Sequence, residues 1–143
     1  MKTHATKLSR CLTTERQMTL RLLTVDQVEA LHDLVLNPGE LPGRARDKSL
    51  EATLARVENR LYYDMIADEF DLAAAYAEAL ARGHCFNDAN KRTAYRTMLV
   101  CLKLNSVTIS HDTSEIGDRI IVLARGDMDA ESFAAYLRTL ATA

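Results

Sequence analysis

The chain has 143 residues, 48% of them hydrophobic and 27% charged, with a net charge of −2. That length fits one domain with a core of its own, and the near-neutral charge excludes a general nucleic-acid binder. Three cysteines, Cys11, Cys85 and Cys101, are odd in number and lack CxxC spacing, which excludes a disulfide framework and favours a reducing cytoplasm. No apolar run is long enough to cross a bilayer.

The elements follow in chain order. Residues 1–17 carry four Lys/Arg against Glu15 and no apolar h-region. They read as a basic, disordered N-terminal extension and not as a secretory signal. The domain proper is expected over residues 18–143. In "TVDQVEALHDLVL" the apolar residues Val25, Val28, Leu31, Leu34 and Val35 recur at helical spacing. Thr24 and Gln27 form a capping box for that helix, and Pro38 with Gly39 ends it. "NPGELPGRARDKS" is a loop, because both prolines and two of the five glycines fall in it. Ser49 caps a helix written "LEATLARVENRLYYDMIA", and Asp68 or Asp71 opens "LAAAYAEALAR". The latter is apolar nearly all round, so it should be a buried central helix, with Gly83 as its C′ residue. A second largely apolar helix is expected from about Ala89 to Leu104. "SVTI" reads as a short strand. Asp112 with Glu115 starts a helix ending near Gly126, and Asp129 starts the last one, through Leu140. The pattern predicts an all-α, compact bundle of about six helices.

The chemistry gathers between the two central helices, in "HCFNDANKR", His84 to Arg92. Each residue has an ordinary structural explanation. His84 suits a turn, Phe86 a core plug, Asp88 and Asn90 an N-cap, and Lys91 with Arg92 a solvated first turn. The last explanation is the weakest. Cations in a helix's first turn oppose the macrodipole by about 0.3–1 kcal/mol each, and no acidic residue accompanies them there. Departures from local rules concentrate at functional sites. A helix start also presents free backbone N–H groups, which suit a polyphosphate. Asp88 is placed to hold magnesium, which takes one or two carboxylates plus phosphate and water. An imidazole, ordinarily titrating at about 6.5, can take a proton from an attacking hydroxyl near neutral pH. Base, metal carboxylate and anion site together point to transfer of a phosphorus group from a nucleotide. No GxxxxGK[ST] and no GxGxxG occurs in the chain, so neither a P-loop nor a typical protein-kinase loop supplies the phosphate cradle.

"HCFNDANKR" resembles the signature loop HxFx[D/E]xN[G/K]R of the Fic/Doc family, and it is most similar to the Doc branch, the toxins of toxin–antitoxin modules. "LTVDQVEALHD" resembles the family's first helix, and "LPG" with "LEATLARVENRLYYD" its flap and second helix, a resemblance that implies target-protein contacts on the flap at Arg44 and Arg46. The resemblance implies a six-helix fold binding ATP and Mg2+ at this loop. It makes His84 the catalytic base, Asp88 the magnesium ligand, and Asn90, Lys91 and Arg92 the phosphate contacts. Lys91 stands where adenylyl-transferring members have glycine, and the branch with lysine transfers the γ-phosphate, which makes Lys91 a catalytic residue too. The implied target is a hydroxyl of elongation factor Tu, whose modification arrests translation. The implied partner is a Phd-like antitoxin, with no direct nucleic-acid or membrane partner. Two other readings compete: a Fic-type adenylyltransferase, against which Lys91 argues, and a non-catalytic binding module with the same fold, against which the intact His84 and Asp88 argue.

Overall fold

A computed structural model describes residues 19–110 and 112–142. The basic extension expected over residues 1–17 lies outside the described residues. Within them the fold is all-α, with six helices: α1 Val25–Val35, α2 Leu50–Tyr62, α3 Glu69–Gly83, α4 Asn90–Leu104, α5 Thr113–Ala124 and α6 Ala130–Thr139. None of these helices is long and apolar enough to cross a membrane.

Most helix starts follow from their caps. The Thr24 hydroxyl accepts from the Gln27 N–H while the Gln27 side chain accepts from the Thr24 N–H, so the capping box forms as expected. Ser49, Asp68 and Asp129 each accept from a backbone N–H three residues on. Of the two residues that could open α3, Asp68 is the cap.

The helix ends differ from expectation at two places. Helix α2 stops at Tyr62 and does not continue to Ala67. Asp64 takes a left-handed conformation (φ 60°), and the Met65 N–H donates to the Arg60 carbonyl while that of Asp64 donates to Leu61. This is a Schellman ending built on aspartate instead of glycine. "SVTI" is not a strand: Ile109 makes a single antiparallel bridge with Ala141, too little pairing to propagate a ladder.

Helix α3 is the centre of the bundle. Leu72, Ala73, Ala74, Ala75, Ala77, Leu80 and Ala81 are all buried in it, and it packs against α2, α4, α5 and α6. Its small side chains let the neighbouring helices approach closely, and large residues from those neighbours fill the space: Leu50, Met98, Leu102, Ile116, Ile120, Phe133 and Leu137. Full burial of one such side chain contributes about 1.5–3 kcal/mol. Tyr76 is the polar exception. Its hydroxyl oxygen accepts from the Leu23 N–H at 2.9 Å, which satisfies a phenol that burial has pushed up to a pKa of about 12. Helix α1 packs mainly on α4. The outcome is a rigid α3–α4 pair joined by residues 84–89, with α1 and the loop of residues 37–49 laid against that junction.

Candidate active site

The α3–α4 junction bends the chain between two left-handed, non-glycine residues, His84 (φ 49°) and Ala89 (φ 65°). Helix α3 runs through Gly83, and His84 is the residue that takes the left-handed cap, not Gly83 as the sequence suggested. Gly83 instead sits in close packing: a Cβ there would stand 3.2 Å from Cys85 Sγ and 3.3 Å from Thr53 Oγ1, so those side chains would have to give by a few tenths of an ångström. The sharp bend turns the His84 side chain out to solvent, and no hydrogen bond or ion pair holds its ring among the described residues. Cys85 and Phe86 turn inward and are buried.

Helix α4 begins at Asn90 with Ala89 as N-cap and no side-chain cap. Neither Asp88 nor Asn90 caps it. The Asn90 carboxamide instead folds back over the loop, accepting from the Phe86 N–H at 3.0 Å and donating to the Phe86 carbonyl at 2.9 Å. In this conformation Asn90 shapes the loop. The first-turn N–H groups of α4 are therefore left to solvent or to an anion, next to Lys91 and Arg92 and with no acidic residue in the turn.

The loop of residues 37–49 covers one side of the junction. The Ala45 N–H donates to the Cys85 carbonyl at 2.8 Å, and the Asn87 N–H donates to the Gly43 carbonyl at 3.1 Å. Asn87 Nδ2 donates to the carbonyls of Pro42, Gly43 and Arg44. Arg44 ion-pairs with Glu29 on α1 and Glu51 on α2, and these carboxylates raise its already high pKa, Glu51 most. Through these pairs it is a strut that anchors the flap. Arg46 is exposed or half-exposed and makes no such pair among the described residues.

The flap also reaches Asp88 and Arg92. The Leu41 N–H donates to Asp88 Oδ2 at 2.7 Å, leaving the other carboxylate oxygen for a cation. Glu40 ion-pairs with Arg92, whose guanidinium also donates to the Val35 carbonyl. The Arg92 hydrogen bond holds the Glu40 carboxyl below the usual carboxylate range, so this latch is present above that range and opens as pH falls through the lowered value. Glu40→Ala should release Arg92 for phosphate. The expected result is a KM for ATP lower by about two- to fivefold, the span of an exposed ion pair, with an unchanged KM meaning that Arg92 does not meet the nucleotide.

Lys91 is exposed, and Lys91, Arg92 and Arg96 line one side of a cavity of about 650 Å³ between α1, α4 and α5. Leu34 and Ile121, 78% and 41% exposed, supply apolar surface to it. His84 and Asp88 lie outside this cavity, on the flap side of Lys91 and Arg92. So the structure sets Asp88, Lys91 and Arg92 at one helix start with the exposed His84 at the other end of the same short loop, turns Asn90 inward, and sets an apolar groove beside Lys91 and Arg92.

The donor set fits magnesium that arrives with a nucleotide. Among the described residues no cluster of three His, Cys, Asp or Glu could hold a metal alone. A single carboxylate with one oxygen uncommitted, beside an uncapped helix start, matches an ion whose other ligands are phosphate oxygens and water.

Sequence reasoning missed one residue here. His32 on α1 is 1% exposed, and its ring lies flat on Phe86, with centroids 3.8 Å apart and planes at 8°. The available signal was position: His32 follows Val28 by four residues, on the buried face of α1.

Comparison with known proteins agrees with this geometry. Residues 22–102 match the Fic/DOC family. The chain is 39% identical over 122 residues to the "Protein kinase doc" of Escherichia phage P1, covering 85% of this chain and 96% of that protein. It is 36% identical over 109 residues to the "Toxin Doc" of Mycolicibacterium smegmatis, covering 73% of this chain and 82% of that one. On the family match and on both relationships, the chain belongs to the Fic/DOC family.

Proposed function

We propose that this protein is a Doc-type toxin, a protein kinase that transfers the γ-phosphate of ATP to a hydroxyl of elongation factor Tu and so arrests translation. The observation that carries the reading is Lys91 at the uncapped start of α4, in a chain similar along most of its length to a protein kinase. Glycine at that position would let a phosphate rest on the backbone N–H groups. Lysine fills that space with a four-carbon stem and offers an ammonium to an outer phosphate.

The proposed roles rest on the motif and on the geometry of the loop. His84, exposed and held by its backbone bend, takes the proton of the acceptor hydroxyl. The hydroxyl oxygen then bonds to the γ-phosphorus as the bond from that phosphorus to ADP breaks. Lys91 and Arg92 meet charge on the phosphate oxygens. Asn90 keeps the loop in shape through Phe86. Magnesium, when bound, neutralises phosphate charge, and Asp88 is the carboxylate that holds it.

The groove between α1, α4 and α5 is the proposed seat of a Phd-like antitoxin segment. Leu34 and Ile121 favour an apolar helix face, and Lys91 and Arg96 outnumber Asp118 along it, which favours acidic flanks on the segment. Ile121→Asp should weaken antitoxin binding by about tenfold or more, as expected for a charge buried in an interface core, and leave kinase turnover in place. Equal antitoxin affinity would move the partner elsewhere.

The reaction is tested by incubating the protein with elongation factor Tu and ATP labelled at either the α- or the γ-phosphate. Label on the target from the γ-position alone is expected. Label from the α-position would make the protein an adenylyltransferase, and no label from either would leave a binding module.

A further inference from the structure

We propose that His32 is a positioning residue for the nucleotide site, setting the backbone of Asp88 so that its carboxylate meets magnesium. The inference rests on the kinase reading in taking Asp88 as that carboxylate. His32 Nε2 lies 2.9 Å from the Asp88 carbonyl oxygen. A carbonyl only accepts, so Nε2 must carry the hydrogen, as it does in one neutral tautomer and in the imidazolium alike. Nδ1 is 3.5 Å from Asp33 Oδ1, on a side chain 73% exposed, so it is Nε2 that is held by the fold.

The contact acts at the one peptide plane that matters most for the site. The Asp88 carbonyl belongs to the peptide linking Asp88 to Ala89, and Ala89 is left-handed at φ 65°. A non-glycine residue persists in that conformation only where its surroundings impose it. Turning this peptide would swing the Asp88 carboxylate and the first turn of α4 together. The Leu41 N–H fixes Asp88 at its side chain, and His32 fixes it at its main chain. The same imidazole packs flat on Phe86, two residues earlier, so one buried side chain on α1 grips the loop at both its apolar plug and its metal carboxylate. Groups that orient a metal ligand in this way typically influence metal affinity by about 10–100-fold.

Two substitutions separate the hydrogen bond from the packing. His32→Phe keeps a flat ring against Phe86 and removes the donor. His32→Gln keeps a donor of similar reach and loses the ring. For each, and for wild type, binding of a non-hydrolysable ATP analogue is measured by calorimetry with and without Mg2+, alongside a thermal melt. His32→Phe is expected to melt cooperatively, to bind the analogue without Mg2+ as wild type does, and to lose about tenfold of the gain that Mg2+ confers. His32→Gln is expected to melt lower and to keep most of that gain. A wild-type gain in His32→Phe overturns the proposal, as does an equal loss in both variants, because the donor kept in His32→Gln would then not be what sets the gain. Should His32→Phe not fold, His32→Gln decides: a retained gain supports the proposal and a lost one overturns it. If wild type itself gains nothing from Mg2+, the kinase reading fails and the proposal falls with it.

Discussion

Removal of the His84 imidazole is expected to lower phosphoryl transfer by about 10²–10⁴-fold, the usual contribution of a positioned general base, and to leave the fold intact. The ring is exposed and unbonded among the described residues, so its loss removes little packing. The backbone complicates a plain alanine substitution. At φ 49° the position favours residues that tolerate left-handed geometry, and asparagine is one of them. His84→Asn and His84→Ala should therefore both be inactive toward elongation factor Tu, with His84→Asn melting closest to wild type. Transfer of γ-label by His84→Asn at more than about a tenth of the wild-type rate would put the base elsewhere.

Asp88→Asn is the second large effect. A helix-cap role for Asp88 is excluded by its position before Ala89, the actual N-cap, so loss of activity in this variant cannot come from an uncapped helix. The asparagine carbonyl can still accept from the Leu41 N–H. Its amide then stands where the second carboxylate oxygen was, presenting two N–H donors to the position proposed for the cation. Turnover should fall by at least about 100-fold, at the upper end of what disturbed ligation produces, and added Mg2+ should not restore it. The thermal midpoint should stay within about 2–4 °C of wild type, the shift that 1 kcal/mol produces in a domain of this size. Full activity with a lowered midpoint would reduce Asp88 to a flap anchor.

The bundle was legible because its signals are local. Thr24 with Gln27, Ser49, Asp112 and Asp129 are caps readable from residue type and spacing. The Ala-rich stretch of α3 carries its own burial in its composition. What misled was chemistry performed by an unusual residue. Asp64 ended α2 in a role that glycine usually fills, and His84 took the left-handed turn that Gly83 advertised. Local composition also suggested a strand in "SVTI", where only long-range pairing decides, and the pairing amounts to one bridge. At the site, the motif placed His84, Asp88, Lys91 and Arg92 on one short loop and the helix start after it. It could not show that Asn90 turns back to Phe86, that Glu40 sits on Arg92, or that Arg44 is consumed by Glu29 and Glu51. Glu40 meets Arg92 because the flap returns across 52 residues of sequence, while the turn of Asn90 and the pairs of Arg44 depend on side-chain conformations that residue type and spacing do not specify.

The thiol beside His84 offers a clock. Cys85 is 1% exposed and its Sγ lies 3.1 Å from Thr53 Oγ1, under the flap strand that bonds its carbonyl. Cys101, the other described cysteine, is buried in α4, and burial raises its thiol pKa to about 12, which leaves almost no thiolate to react near neutral pH. In a Cys11→Ser background, slow alkylation of the native protein should therefore report Cys85. That sulfur packs against Thr53 on α2 and faces the Ser49 carbonyl at the end of the flap, so a reagent reaches it only when this packing opens, and the labelling rate divided by the rate for a free thiol measures that local opening equilibrium. Repeating the measurement with Mg2+ and nucleotide, or with an antitoxin peptide, would read how firmly each ligand closes the site, with no turnover and no target protein in the tube.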